Sequence, residues 1–318
     1  MNFTIAHLSD PHLSPAPFPG GAELRLKRFL GWVNWKRTRQ RLNDMEMLAR
    51  LVADLRRHLP DHVAMTGDAV NLALRSEIAL AAEWMKGLGD PANVSFTPGN
   101  HDAYVRDALP ALARAFAPWT EGYRFPYLRR RGEVALIGLN TGVPTAPFLA
   151  TGRLGRAQLD ALTVVLKETA GLARVVMIHH PPLRGGRAPR WRGLDDADQF
   201  EAVVAEAGAE LILHGHSHRV MANLLPSRAT RNVDGAIPVL GAPSISAAAP
   251  DSAHRACYYL VRLDREGAQW RASWRARGTA IGGAIVEREP PRAHISAKPP
   301  PVNRSQPSSR RSQPLSSE

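Results

Sequence analysis

The chain opens on Ile5-Ala6-His7-Leu8-Ser9-Asp10-Pro11-His12, an apolar run that stops at a carboxylate with an imidazole two residues beyond. Such a run reads as a buried strand, so Asp10 and His12 fall on the loop past its carboxyl end. Side chains two apart share a face of a strand, and the start of a loop can turn them to one point. A carboxylate oxygen and an imidazole nitrogen there are half of a site for a hard-to-borderline metal. A single Asp-x-His arises often by chance, but this chain repeats the arrangement at four further strand ends. Residues 62–66 run into Gly67-Asp68, and 93–97 into Pro98-Gly99-Asn100-His101-Asp102. Residues 174–178 run into His179-His180, and 210–213 into His214-Gly215-His216-Ser217-His218.

Helical stripes lie between these strands. Residues 43–58 place Met45, Leu48, Val52 and Leu55 on one face, and 155–168 do the same with Leu159, Leu162, Val165 and Leu166. Residues 75–88, 107–116 and 195–207 also read as helices. Strands alternating with helices give an α/β fold. A helix-free meander at 237–240, 257–263 and 268–274 adds a mixed sheet or a second packed sheet. Ligands of open α/β sheets gather outside the carboxyl ends of the strands. The strand ends therefore deliver carboxylate, amide and imidazole groups to one rim.

At 318 residues and 44% hydrophobic content the chain can bury a sizeable core. One domain is expected over 1–287, with a basic amphipathic insertion at about 22–42 and the meander at about 237–275. Residues 288–318 are Pro, Ser and Arg with almost no large apolar side chain, and are expected to be a disordered tail. Cys257 is the only cysteine, which excludes an intrachain disulfide; in its apolar run it reads as a buried, inert thiol. No run is long enough to span a bilayer, and the chain enters a strand at once without a targeting pattern, so a cytoplasmic protein is expected.

The balance of 41 basic against 29 acidic residues, +12, favours anionic partners: phosphate esters, nucleic acid or anionic lipid. Much of that charge flanks a stripe of Leu26, Phe29, Leu30 and Val33, with Trp32 and Trp35 to one side. The basic flank is Arg25, Lys27, Arg28, Lys36, Arg37, Arg39 and Arg41. Such a segment either lies peripherally on an anionic membrane surface or covers the enzyme core and solvates its charges.

The ordered set Asp10-x-His12, Gly67-Asp68, Gly99-Asn100-His101-Asp102, His179 and Gly215-His216-x-His218 resembles the calcineurin-like metallophosphoesterase superfamily, over roughly residues 3–250. Motif order and length are similar to class III cyclic-nucleotide phosphodiesterases. The resemblance implies a four-layer α/β/β/α sandwich of two mixed sheets flanked by helices, built around a dinuclear metal centre. It implies Asp10, His12, Asp68 and His218 for one metal, and Asp68, Asn100, His179 and His216 for the other, with Asp68 bridging. The ions implied are two divalent or mixed-valence metals: manganese, iron, zinc or cobalt. A hydroxide bridging them is the implied nucleophile. His101 is the implied general acid or phosphate contact. Asp102 either orients His101 by accepting its other N–H or caps the next helix.

Other residues have quieter readings. On spacing alone either His179 or His180 is the ligand; the family pattern selects His179 and leaves His180 to pack nearby. His214 packs at its strand end, His7 lies in the core, and Asn71 holds its own loop. Arg184, Arg187, Arg190 and Arg192 form a basic loop that either contacts substrate phosphate, with Arg184 joining Asn100 and His101, or is merely solvated.

The leading expectation is a phosphodiesterase acting on cyclic nucleotides or similar small diesters. One alternative is a membrane-peripheral hydrolase of a nucleotide-diphosphate lipid such as UDP-diacylglucosamine. A nucleic-acid phosphodiesterase ranks below both, because no recognised nucleic-acid-binding module is present. A non-catalytic binding module ranks last, since every ligand position is filled. The oligomeric state is open.

Overall fold

The regular elements begin with β1 (Asn2–Leu8), α1 (Leu26–Arg37), α2 (Met45–Arg57), β2 (His62–Met65), α3 (Arg75–Lys86) and β3 (Val94–Phe96). Next come α4 (Leu109–Phe116), β4 (Tyr127–Arg131), β5 (Val134–Gly138), α5 (Arg156–Glu168), β6 (Ala173–Met177), α6 (Ala197–Ala207) and β7 (Leu211–His214). The rest are β8 (Met221–Pro226), β9 (Ala236–Gly241), β10 (Cys257–Glu266), β11 (Gln269–Thr279), β12 (Ile285–Arg288) and β13 (His294–Ile295). This computed structural model describes residues 2–183, 191–289 and 294–295.

Two mixed sheets result. One has the order β12-β11-β10-β1-β2-β3, the other β13-β8-β9-β7-β6-β5-β4. The strands at the heart of each, β1-β2-β3 and β9-β7-β6-β5, are parallel, so their carboxyl ends point the same way within a sheet. Phe3 and Ile5 of β1 pack between the sheets with Val175, Leu213 and Tyr259. Ala6 and Leu8, on its other face, pack against Leu48, Leu51 and Leu112 of the helices α2 and α4. Both faces being buried explains why β1 is apolar without alternation. The outer face of the second sheet is covered by Leu159, Leu162 and Leu166 of α5 and Phe200 and Val204 of α6. The layers run helix, sheet, sheet, helix, as expected.

The expected stripes of α2 and α5 point inward. Leu48, Val52 and Leu55 of α2 are buried, and Asp44 caps its first turn by accepting the Met47 N–H at 2.9 Å. The strands of the expected meander instead divide between the sheets. β9 pairs with β7 and β8 in one; β10 and β11 form a hairpin beside β1 in the other. Strand pairing partners are a long-range choice that local pattern does not contain. β4 and β8 escape a sequence reading: β4 lies at the sheet edge and carries Arg129, Arg130 and Arg131, which hide its strand character. Of the expected tail, Arg288, Glu289 and the pair His294–Ile295 are described, the last two alongside β8.

α1 packs on the protein chiefly through the face opposite Leu26 and Phe29 of its apolar stripe. Its buried side chains are Arg28 and Trp35. The Arg28 guanidinium donates to the carbonyls of Leu72 (3.2 Å) and Ala73 (2.7 Å) and pairs with Asp107 at 3.2 Å. At Gly31 the helix comes so close to the Tyr104 hydroxyl and Leu72 that a Cβ has no room. Leu26 and Phe29 therefore face outward.

Candidate metal centre

The parallel strands of the two sheets end at one place. β1, β2 and β3 supply Asp10, His12, Asp68, Asn100 and His101, while β6 and β7 supply His179, His216 and His218. The sheets are tied there: the His179 Nδ1–H donates to the Thr66 carbonyl (2.6 Å), and the His216 backbone N–H donates to Asp10 Oδ2 (3.0 Å).

Two groups of donor atoms form. In the first, His218 Nε2 lies 3.1 Å from Asp10 Oδ1 and 3.2 Å from His12 Nε2, and His12 Nε2 lies 3.8 Å from Asp68 Oδ2. In the second, His179 Nε2 lies 3.4 Å from Asp68 Oδ2, 3.3 Å from Asn100 Oδ1 and 3.3 Å from His216 Nδ1. Asp68 Oδ2 faces both groups. Asp10, His12 and His218, and likewise Asp10, Asp68 and His179, are close enough to hold a metal ion.

The hydrogen bonds on the far side of the rings say what belongs in the middle. The His216 Nε2–H donates to the Arg192 carbonyl (2.8 Å) as His179 does to Thr66, so each neutral ring turns a lone pair inward. Two lone pairs facing one another at 3.3 Å repel unless a cation lies among them. Burial alone would lower the His179 pKa, but the Asp68 and Asp10 carboxylates and the Thr66 carbonyl raise it to about 9. Asp68 moves oppositely: burial pushes it up, yet His179, His101 and His12 hold it well below the usual carboxylate range. The donor set fits metal ions.

The site is built on strained backbone. Asp10 (φ 53°), His12 (41°), Asp68 (54°), His216 (65°) and His218 (49°) all lie in the left-handed region. A residue with a Cβ occupies that region at a cost, and such residues concentrate at functional sites. Gly99 and Gly215 leave space the site needs: a Cβ on Gly99 would meet Asp68 Oδ1, and one on Gly215 would meet Ser9 Oγ and Asp10 Oδ2.

Asp102 takes neither expected part. The His101 Nδ1–H donates instead to the Asn71 carbonyl at 2.6 Å. Fully buried, Asp102 accepts backbone N–H bonds from Asp68 (2.7 Å), Gly99 (2.8 Å), Ala69 (2.9 Å) and Val70 (3.3 Å). It clamps the loop carrying Asp68 to the loop carrying Asn100. Burial, then the neighbouring Asp68 charge, raises its pKa to about 7.

His180 also lies near His179 and His216. Its nitrogens are engaged elsewhere, Nδ1 with the Thr141 hydroxyl (2.7 Å) and Nε2 with the Ala150 carbonyl (3.2 Å). His7 and His214 are buried, and burial lowers them to about 3 and about 4 respectively. Asn71 donates to the Leu13 carbonyl (2.8 Å), joining the loops after β1 and β2. Arg184, Arg187 and Arg190 lie outside the described residues. The sequence reading missed Ser9, whose hydroxyl donates to Asp10 Oδ2 (2.5 Å) and so turns Oδ1 to His218. It also missed Glu77, whose carboxylate accepts the N–H groups of Asn71 (3.1 Å), Leu72 (3.0 Å) and Leu74 (3.0 Å). A capping acid just inside a helix was the available signal for Glu77; nothing local marks Ser9.

Residues 3–220 match the model of a family described as calcineurin-like phosphoesterase. A probable cyclic nucleotide phosphodiesterase of Synechococcus sp. is 28% identical over 221 residues, 69% of this chain and 74% of the relative. Among solved structures, a dimetal phosphatase from Danio rerio aligns with a TM-score of 0.57 at 14% identity, over 90% of this chain and 98% of that one. A 5'-nucleotidase precursor from Thermus thermophilus aligns with a TM-score of 0.50 at 15% identity, over 87% of this chain and 54% of that one. These likenesses to solved structures are likenesses of fold.

Proposed function

Because the chain belongs to the calcineurin-like phosphoesterase family, we propose that it is a phosphodiesterase whose two metal ions are held by the convergent strand ends. As a member it is a metallophosphoesterase, a hydrolase of phosphoester bonds. In this reading Asp10, His12, Asp68 and His218 hold one ion and Asp68, Asn100, His179 and His216 the other. The observation that carries it is the position of Asp68 Oδ2, 3.8 Å from His12 Nε2 and 3.4 Å from His179 Nε2, where one carboxylate oxygen serves both groups. When bound, such a metal pair supplies an attacking water acidified to near neutral pH and positive charge against the phosphate oxygens. The catalytic unit lies within residues 1–287. Mixed oxygen and nitrogen donors suit manganese, iron, zinc or cobalt, and manganese is the first ion to assay.

The chain's own residues do the rest. Asn100 offers a neutral amide oxygen, which keeps the centre short of negative charge and so attractive to an anionic ester. His101 donates from Nδ1 to Asn71, which makes Nε2 the nitrogen that protonates the departing oxygen. Cyclic nucleotides, named for the Synechococcus relative, are the first small diesters to try.

With Mn²⁺ the protein is expected to hydrolyse bis(p-nitrophenyl) phosphate. His101→Ala should lower kcat by roughly 10²–10⁴ for a diester with an alkoxide leaving group. The loss should be far smaller with p-nitrophenolate, which departs without a proton. Equal losses for both leaving groups would remove the acid role; no metal-dependent turnover at all would remove the reading. Metal uptake should also depend on pH. A proton on His179 must leave before a metal can bind, so below about pH 9 affinity should climb about tenfold per pH unit, and flatten above. Titration calorimetry with Mn²⁺ in buffers of different ionisation enthalpy counts that proton, and a flat affinity across neutral pH would show that His179 is already neutral before metal binds.

A further inference from the structure

The N-terminal half of α1 leaves an apolar strip in solvent where a helix packed on a protein is normally polar. Leu26 is 70% exposed, with Leu24 and Phe29 also open, while the helix is anchored from its opposite side by Arg28 and Trp35. Exposed Arg25, Lys36, Arg37 and Arg41 frame this strip. A second apolar edge faces it. Phe148 is 81% exposed and sits at φ 67°, with exposed Leu149 beside it. An aromatic held in left-handed backbone with its ring in water is disfavoured on both counts. The loop carrying it is tied to exposed Trp191 by the bond from the Ala150 N–H to the Trp191 carbonyl (2.9 Å).

Between the two edges runs a groove of about 190 Å³ with Asn100 and His101 on its lining. Leu30 and Gly31 of α1 form one wall, and Phe148 and Leu149 the other. Lys27 bridges the walls, donating to the carbonyls of Tyr104 (2.7 Å) and Thr145 (2.8 Å). Leu30 belongs both to the outward stripe and to the groove, so the exposed apolar surface continues into the candidate metal centre. No described helix is long and apolar enough to cross a membrane, so any lipid contact through this face is peripheral.

We infer that this apolar, basic-rimmed face docks on an anionic lipid surface and seats the mouth of the metal centre against it. The substrate is then a phosphoester borne on a lipid, its apolar part in the groove and its phosphate toward Asn100 and His101; this last point rests on the phosphodiesterase reading above. Charge selects the occupant. A second copy would bring one basic rim against another on a chain of net charge +12, whereas anionic headgroups complement it.

The test is sedimentation of the full chain with vesicles of phosphatidylcholine, with and without phosphatidylglycerol. Binding is expected only to the phosphatidylglycerol vesicles and should weaken as salt is added. The pair Leu26→Glu with Phe29→Glu should lower the partition coefficient about tenfold or more, since two apolar contacts are lost. Lys36→Glu with Arg37→Glu should lower it by about fivefold per residue and flatten its salt dependence. Both pairs lie outside the groove, so turnover of soluble bis(p-nitrophenyl) phosphate should be unchanged, which also certifies the fold. The inference is overturned if the wild-type chain stays in the supernatant. It is equally overturned if the Glu variants bind vesicles as well as wild type, or if their effect is to split a dimer. Vesicle binding is read without turnover, so failure of the phosphodiesterase reading would appear separately, as loss of soluble activity with binding intact.

Discussion

Asp68→Asn is expected to reduce metal-dependent turnover by about a hundred- to a thousandfold, the scale on which one preorganised charge stabilises a transition state. The asparagine keeps an oxygen to accept the His101 backbone N–H, which Asp68 Oδ1 now receives at 2.8 Å. What changes is the other atom. Where Oδ2 faces His12 and His179 the variant presents an N–H₂ group, with no charge and no lone pair for a cation. Metal content by mass spectrometry should drop below that of wild type, while the far-ultraviolet circular dichroism stays the same. A variant that retains full metal content and near-native rates would remove the bridging role proposed for Asp68.

Asp102→Ala is expected to give the largest stability loss among the site residues, on the order of 3–6 kcal/mol from several buried backbone donors left unsatisfied. The four N–H groups it accepts, from Asp68, Ala69, Val70 and Gly99, are in two loops that must hold Asp68 against Asn100. Asp102→Asn should be nearly as damaging, because its N–H₂ must face at least one of those donors. Urea unfolding of the metal-free protein reads the loss apart from metal binding. If Asp102→Ala unfolds like wild type yet loses turnover with alkoxide leaving groups alone, Asp102 acts on the proton of His101 rather than on the loops.

Much of this site is legible in sequence because metal chemistry restricts residue type. Asp10, His12, Asp68, Asn100, His216 and His218 stand out as oxygen and nitrogen donors at strand ends, and parallel strands carry their ends to one rim; between His179 and His180 spacing leaves the choice open, and the family resemblance selects His179. The groups that hold those donors in place are not restricted in this way. A backbone carbonyl such as that of Thr66, Val70 or Arg192 can fix a histidine tautomer whatever side chain it belongs to. Asp102 illustrates the limit: its type and its place beside His101 suggest a catalytic partner, and only the backbone path shows where its oxygens go.

The strip on α1 divides the same way. Its 3.6-residue period, its basic flanks and its position directly after the first ligands are properties of the sequence. The side that meets the protein is not, because local pattern favours burying Leu26, Phe29 and Leu30. Long-range contacts reverse the choice: Arg28 satisfies two loop carbonyls and Asp107, and Gly31 admits Tyr104. The sequence by itself thus determined the helix, the strand-end donors and the α/β class, which follow from local periodicity and residue chemistry, while the four layers followed from the family resemblance of its ordered motifs. The tertiary structure decided which sheet each late strand joins, which atoms clamp the centre, and that Leu26 and Phe29 of α1 look outward. Those depend on hydrogen-bond partners far apart in the chain, and a buried donor or acceptor must be paired wherever its partner lies.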